Sequence, residues 1–266
     1  VVDEVRRALG IRRAGHAGTL DPFASGLLVM LVGRATRLSR YLTGLGKTYV
    51  GRIRLGVATD TEDATGKPTA TSEAWRAIST AAVEERMASL TGRIAQTPPA
   101  YSAKKLGGER AYRLARQGKP VSLEATQVDV RAFALMGRDG SAVDFRADVG
   151  SGTYLRSLAR DLGAALGCGA HLEALRRTAV GSFLVEDAVS LDALGPPAVR
   201  PAAEVVTHLA ARDLEPAEWQ AVQHGRSVAA DGGEGGPVAL MFEGQLTAVA
   251  ELRGATLKPK VVLVGD

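Results

Sequence analysis

From residue 143 to residue 149 apolar and charged side chains alternate without a break: Val143, Phe145, Ala147 and Val149 against Asp144, Arg146 and Asp148. A period of two belongs to a strand with one face buried and the other in water, and this stretch fits nothing else. Asp139-Gly140 stands just before it. Asp-Gly is a hairpin signal, so an antiparallel partner strand is expected over 126–136. The alternation recurs over 48–55, with Tyr49, Gly51, Ile53 and Leu55 on one face and Arg52 and Arg54 on the other. Strands of this kind need a cover for their apolar face. Residues 153–166 supply one, because Leu155, Leu158, Ala159, Leu162 and Leu166 share one face of a helix. The expected fold class is α+β, with a mixed, mostly antiparallel sheet.

The remaining elements read as follows. Residues 1–9 form a helix that Gly10 ends. Residues 27–32 are a buried apolar strand, and Thr36 caps a short helix running to residue 42. Residues 72–90 are helical in two pieces. Pro98 and Pro99 force 96–103 to be extended. A short helix over 110–117 stops at Gly118-Lys119-Pro120. Leu194-Gly195-Pro196-Pro197 reads as a linker, followed by a helix over 215–224, a flexible turn over 232–236 and a small meander of strands over 238–264. The division expected is a large domain, 1–199, and a small β-rich domain, 200–266. Cys168 is the single cysteine, so no intramolecular disulfide is possible and a reducing compartment suits the chain. No apolar run reaches the roughly 18 residues of a membrane-spanning helix. The chain opens on Val1-Val2-Asp3 without Met, inside what reads as a helix, and a native segment is expected to precede it.

The formal net charge is +4, and its distribution says more than its size. Residues 93–124 hold Arg93, Lys104, Lys105, Arg110, Arg113, Arg116 and Lys119 against Glu109 and Glu124, a net of +5. Tyr101 and Tyr112 lie among them. Cations interleaved with stackable rings suit a nucleic-acid backbone. A solvated basic loop has the same composition.

Several familiar motifs fail on spacing. Gly46-Lys47-Thr48 ends like a P-loop, but Tyr41 stands where the first glycine is needed. Asp60, Glu62, Asp63 and Gly66 do not have the spacing of a calcium loop, and the closing Glu is absent, so a solvated acidic turn is expected. Cys168 and His171 are two ligands, too few for zinc. No G-x-S-x-G elbow is present.

Two features remain. Gly15-His16-Ala17-Gly18-Thr19-Leu20-Asp21-Pro22 places an Asp in a glycine-rich loop beside apolar Leu20, Phe23 and Leu27. Desolvated there, its carboxylate needs a cationic partner to stay ionised. An Asp that merely forms a turn or caps a helix is the alternative. In Gly150-Ser151-Gly152-Thr153-Tyr154-Leu155-Arg156, a helix starting at Thr153 puts Arg156 in its first turn, where a cation opposes the helix dipole by about 0.3–1 kcal/mol. Either a specific anionic partner offsets that cost, or Arg156 faces solvent and tolerates it.

These segments together resemble the TruB family of tRNA pseudouridine synthases. The resemblance rests on G-H-A-G-T-L-D-P-F-A-S-G from Gly15, K-T-Y at 47–49, L-G-V-A-T-D-T-E-D-A-T-G from Leu55 and P-P-A-Y-S-A-K-K from Pro98. It continues through G-S-G-T-Y-L-R from Gly150 and L-G-C-G-A-H-L-E-A-L-R-R from Leu166. It covers about residues 1–190; the C-terminal meander is more weakly similar to the family's small PUA-type RNA-binding domain. The resemblance implies the pseudouridine synthase fold and isomerisation of uridine to pseudouridine in the tRNA T arm, without metal or other cofactor. It further implies Asp21 as the essential carboxylate, Arg156 as its partner, and Tyr49 as the ring stacking on the target base and accepting a proton. On the same resemblance Tyr154 and Leu175 would line the uracil pocket, and His16 would contact RNA beside the flipped nucleotide. The basic insertion 93–124, with Lys104, Lys105, Arg110 and Arg113, would grip phosphates. The expected partner is tRNA alone, bound by a cytoplasmic monomer with no guide RNA and no membrane. The rivals are a non-catalytic RNA-binding or tRNA-folding protein on the same scaffold, and a guide-RNA-dependent relative. The family usually carries an apolar strand and a Lys-Pro segment ahead of the helix that opens this chain.

Overall fold

The computed structural model describes residues 1–102, 104–106, 108–117, 119, 121–230 and 235–263, with the backbone alone at 105, 106, 110 and 116. Gly118 and Pro120 of the expected helix stop, and most of the glycine-rich turn at 232–236, lie outside the described residues. The chain forms two compact units, one of Leu20–Leu27 and Gly44–Ala188, the other of Val1–Thr19, Leu28–Thr43 and Val189–Asp266.

The first unit is built on a seven-stranded sheet. Its strands run in the order Phe183–Leu184, Ala170–Val180, Lys47–Leu55, Ala142–Val149, Thr126–Asp139, Gly92–Gln96, all antiparallel to their neighbours. Ser25–Gly26 adds to Ala170–Val180 in parallel, which makes the sheet mixed. The register carries the alternation read from the sequence. Ile53 lies opposite both Val143 and Leu172, and Tyr49 opposite both Ala147 and Arg177, so these side chains share the inner face. Helix Leu155–Ala165 covers that face with Leu155, Leu158, Ala159 and Leu162. Each buried leucine contributes roughly 1.5–3 kcal/mol. Helix Thr80–Ser89 adds Val83 and Met87 and starts where the Ser79 hydroxyl accepts the Ala82 N–H at 3.2 Å. Gly51 is a requirement of packing: a Cβ there would sit 2.5 Å from the Ala174 carbonyl oxygen and 2.9 Å from the Phe145 ring.

The expected helix over 153–166 begins two residues late, at Leu155, because Tyr154 is extended at the N-cap. The strand Ala170–Val180 is the longest element that sequence patterning did not assign. Ala, Leu, Glu and Arg fill it, residues that favour helices in isolation, and two register shifts interrupt its alternation. Pairing on both sides overrides that preference.

In the second unit, helix Val2–Leu9 ends at Gly10, whose φ of 63° puts it in the left-handed region. The strand expected over 27–32 is paired only at Met30–Val32, against Ala14–His16. Thr36 is not a cap. It lies inside the 3-10 turn Gly33–Leu38, its hydroxyl donating to the Gly33 carbonyl at 2.8 Å. Short 3-10 turns at Leu191–Ala193, Pro196–Ala198 and Ala202–Val206 surround the Pro-Pro segment. A five-stranded sheet follows, containing the meander Pro237–Phe242, Gln245–Arg253 and Thr256–Val262. Helix Pro216–Gln223, started by a reciprocal Glu215/Glu218 capping box, buries Val222 against Leu240, Ala248 and Leu257. Among the described residues no helix is long and apolar enough to cross a membrane.

Candidate active site

Asp21 owes its place to the strand beneath it. Ser25 and Gly26 pair with Arg176 and Arg177. The Leu27 N–H donates to the Arg177 carbonyl at 2.8 Å, and the Arg177 Nε–H donates to the Leu27 carbonyl, also at 2.8 Å. Gly26 has φ +96°, and a Cβ on it would lie 2.2 Å from the Arg177 carbonyl oxygen, so no other residue lets the loop approach so closely. Upstream, the Ala24 N–H closes a turn on the Asp21 carbonyl at 2.9 Å, around Pro22.

The carboxylate so placed meets Arg156 side-on. Arg156 Nε donates to Asp21 Oδ2 at 3.0 Å and Nη2 to Oδ1 at 3.1 Å, a bidentate pair. The same guanidinium donates to the Thr61 and Tyr101 carbonyls, both at 3.1 Å, and lies 3.6 Å from Asp63. With only 5% of its surface exposed, Arg156 is not a solvent-facing side chain. These acceptors offset the unfavourable dipole at the helix start.

The acidic turn departs from expectation. Asp63 is not solvated. It is 4% exposed, and its Oδ1 accepts from the Thr61 hydroxyl at 2.7 Å, the Thr65 N–H at 3.0 Å and the Thr65 hydroxyl at 2.5 Å. Glu62, beside it, faces Arg160 at 2.7 Å. Burial is tolerated because both carboxylates have hydrogen-bonding and cationic partners, which a count of acidic residues along the sequence does not reveal.

Tyr49 is buried on the inner face, directly across the strand pair from Arg177. Burial pushes its phenol pKa up, against the pull of the Arg177 charge and hydrogen bond, while the Asp21 charge pushes the same way as burial. Burial also lowers Lys47, two residues earlier, with the Arg177 charge adding to the effect. Leu175 is buried opposite Gly51 on the neighbouring strand. Tyr154, half-buried at the helix N-cap, is held through its backbone: its N–H donates to Gln96 Oε1 at 2.8 Å, and Gln96 Nε2 donates to its carbonyl at 3.2 Å. Asp21, Tyr49, Tyr154, Arg156 and Leu175 thus all belong to one compact unit.

His16 belongs to the other unit, where it ends the strand Ala14–His16 opposite Met30. In the basic segment, Lys104 Nζ donates to the Thr126 hydroxyl at 3.2 Å, and Arg113 is exposed on the short helix Ala111–Arg116. The side chains of Lys105 and Arg110 lie outside the described residues.

Sequence reasoning missed Asp63, Glu62, Arg160 and Arg177. Arg177 is 1% exposed, but the face it shares with Leu172, Leu175 and Val180 emerges only through two register shifts, so its burial could not be read along the chain. The others gave no signal, since their partners are distant in sequence.

Residues 6–155 match the N-terminal domain of the TruB family of pseudouridylate synthases, and residues 156–217 match the C-terminal domain of tRNA pseudouridylate synthase B. The chain is 48% identical to the tRNA pseudouridine synthase B of Thermobifida fusca over 277 residues, covering 100% of this chain and 94% of that protein. It is 44% identical to its counterpart from Mycobacterium bovis, over 99% of this chain and 90% of that one. Its fold is similar to that in an H/ACA ribonucleoprotein bound to a substrate RNA containing 2'-deoxyuridine, with TM-score 0.74 and 25% identity over 99% of this chain and 80% of that one. The match across both family models and the 48% identity over the whole chain show that the chain belongs to the TruB family of pseudouridylate synthases.

Proposed function

We propose that this chain isomerises uridine to pseudouridine at position 55 in the T arm of transfer RNA, with Asp21 as the carboxylate on which the reaction depends. The observation that carries the reading is the bidentate Asp21–Arg156 pair, set in the unit that also buries Tyr49. The names of the relatives in Thermobifida and Mycobacterium supply tRNA as the substrate class.

In the reaction the C1′–N1 glycosidic bond breaks, the uracil turns within its pocket, and C1′ bonds to C5. C5 loses a proton and N1 gains one, so the product is an isomer. The Arg156 guanidinium fixes both Asp21 oxygens, so the carboxylate meets the reacting nucleotide without reorganising. Flipping the base out of its stack costs a few kcal/mol, which a ring and a fitted pocket offset. Tyr49 offers the ring. It is also the proposed acceptor of the C5 proton; burial raises its phenol pKa, and the Arg177 charge and hydrogen bond offset only part of that rise. Tyr154 and Leu175 bound the pocket, His16 contacts RNA beside the flipped nucleotide, and Lys104, Lys105, Arg110 and Arg113 hold phosphates. In this reading residues 1–199 carry the chemistry and 200–266 form a PUA-like RNA-binding domain.

The test is to treat an unmodified tRNA transcript with the protein alone and map pseudouridine by carbodiimide-blocked reverse transcription. A single new stop at the T-arm uridine is expected, and none in a transcript carrying cytidine there. Modification elsewhere with the T arm untouched would overturn the site assignment.

A further inference from the structure

Arg156 is held by two backbone carbonyls as well as by carboxylates, and those carbonyls lie on irregular segments. Thr61 belongs to the turn following the strand Val57–Thr59, and Tyr101 to the stretch following Gly92–Gln96. Something must hold both segments at the correct height along the helix. One helical turn beyond Arg156, Arg160 reaches the same two segments. Its Nη1 donates to Glu62 Oε1 at 2.7 Å and its Nη2 to the Thr97 carbonyl at 2.9 Å. The Ser157 hydroxyl lies between them, 2.9 Å from the Thr97 carbonyl and 3.3 Å from Glu62 Oε2.

Glu62 is also one of only two non-glycine residues with positive φ among the described residues, at 63°. Such a conformation costs on the order of 1–3 kcal/mol and persists only where the surroundings impose it. Here they do. The Glu62 N–H donates to the Thr59 carbonyl at 3.2 Å, its carbonyl accepts the Leu172 N–H at 3.0 Å, and its side chain is fixed by Arg160. The left-handed turn at Glu62 sends its own carboxylate to Arg160 while the carbonyl of Thr61 and the carboxylate of Asp63 point to Arg156.

We propose that the Glu62–Arg160 ion pair is a positioning device for the Asp21–Arg156 fork, acting on the chemical step rather than on RNA binding. The proposal rests on the pseudouridine synthase reading above. Without the pair, the 59–66 turn and the 97–101 segment lose an anchor they share, the carbonyls on Arg156 drift, and the Asp21 carboxylate loses its fixed orientation. A displacement near 1 Å at a reacting group can cost about 100-fold in rate.

The test is single-turnover pseudouridine formation, with enzyme in excess over tRNA transcript, for wild type, Glu62→Gly, Arg160→Gln and Arg160→Lys, beside filter-binding affinity and thermal unfolding. Glu62→Gly is the informative variant, because glycine accepts the left-handed φ at little steric cost while deleting the carboxylate. It should keep its fold and its RNA affinity within about twofold, yet turn over roughly 10- to 100-fold more slowly. Arg160→Gln should match it, and Arg160→Lys, which keeps the charge, should recover part of the rate. A folded Glu62→Gly or Arg160→Gln protein with wild-type single-turnover rate would overturn the proposal. So would a loss confined to RNA affinity. An inactive wild type would instead overturn the underlying functional reading, which separates the two failures.

Discussion

Among the described residues, the first compact unit contains two arginine–carboxylate forks of nearly the same local geometry, on opposite faces of one sheet. On the outer face Arg52 grips Asp144 through Nε and Nη2 at 2.6 and 2.9 Å, and both side chains are more than 40% exposed. On the inner side Arg156 grips Asp21 at 3.0 and 3.1 Å, with the Arg156 side chain 6% exposed. The outer pair is made by cross-strand neighbours and needs nothing else. The inner pair joins residues 135 positions apart and is surrounded by further acceptors: two carbonyls and a second carboxylate. Bidentate contact alone therefore does not mark a site. What distinguishes the inner fork is how completely its cation is desolvated and how many segments converge to hold it.

That contrast is sharpest when the cation is removed. Arg156→Met strands Asp63 in the interior without its counter-charge, and breaking a buried pair in this way costs about 3–5 kcal/mol. Urea unfolding should show a loss in this range together with complete inactivity. A midpoint unchanged from wild type would erase the difference between the two faces. A smaller energetic change but a large kinetic one is expected from Tyr49→Phe, which keeps the ring and removes the phenol. Product formation should fall by roughly 10²- to 10⁴-fold with RNA affinity retained. Wild-type turnover by this variant would remove Tyr49 from the proton path.

Acid titration should separate two carboxylates by sign. Burial raises the Glu62 pKa in spite of Arg160, whereas the Arg52 hydrogen bond lowers that of Asp144. A raised carboxylate pKa means the folded protein binds the proton more tightly than the unfolded chain. Wild type should then lose stability relative to Glu62→Gln as pH rises through that raised pKa. For Asp144 the relation reverses: wild type gains on Asp144→Asn as pH rises out of the acid range, by a small amount because the pair is solvated. Differences of the same sign in urea midpoints measured across acid pH would contradict the two environments. Least of all should Asp144→Asn matter at neutral pH in about 1 M salt, where a surface fork is screened. No resolvable change in midpoint or turnover is expected, and a loss of turnover would give the outer face a role it does not have in this account.

The same contrast explains what was legible in the sequence. Alternation at 48–55 and 143–149 specified the sheet because each residue's face depends only on its neighbours along the chain. Arg156 stood out because a cation in a helix's first turn conflicts with the dipole locally, which left either an anionic partner or a solvent-facing side chain. Ala170–Val180 stayed unassigned since its composition favours a helix and only pairing with Lys47–Leu55 makes it a strand. The acidic turn was misread for a related reason. Asp63 and Glu62 look solvated until Arg156 and Arg160, nearly a hundred residues later, close over them. Local conflicts can be read from a sequence, whereas burial created by distant partners cannot.

The most direct test of the central claim is tritium release from a tRNA transcript labelled at uracil C5, comparing wild type with Asp21→Asn. C5 gives up its hydrogen only when it becomes the glycosidic carbon, so release counts the rearrangement itself. Release by wild type and none by Asp21→Asn, at undiminished RNA affinity, is the expected result. Release at equal rates from both proteins would contradict the account, because the carboxylate that Arg156 is built to hold would then have no part in the chemistry.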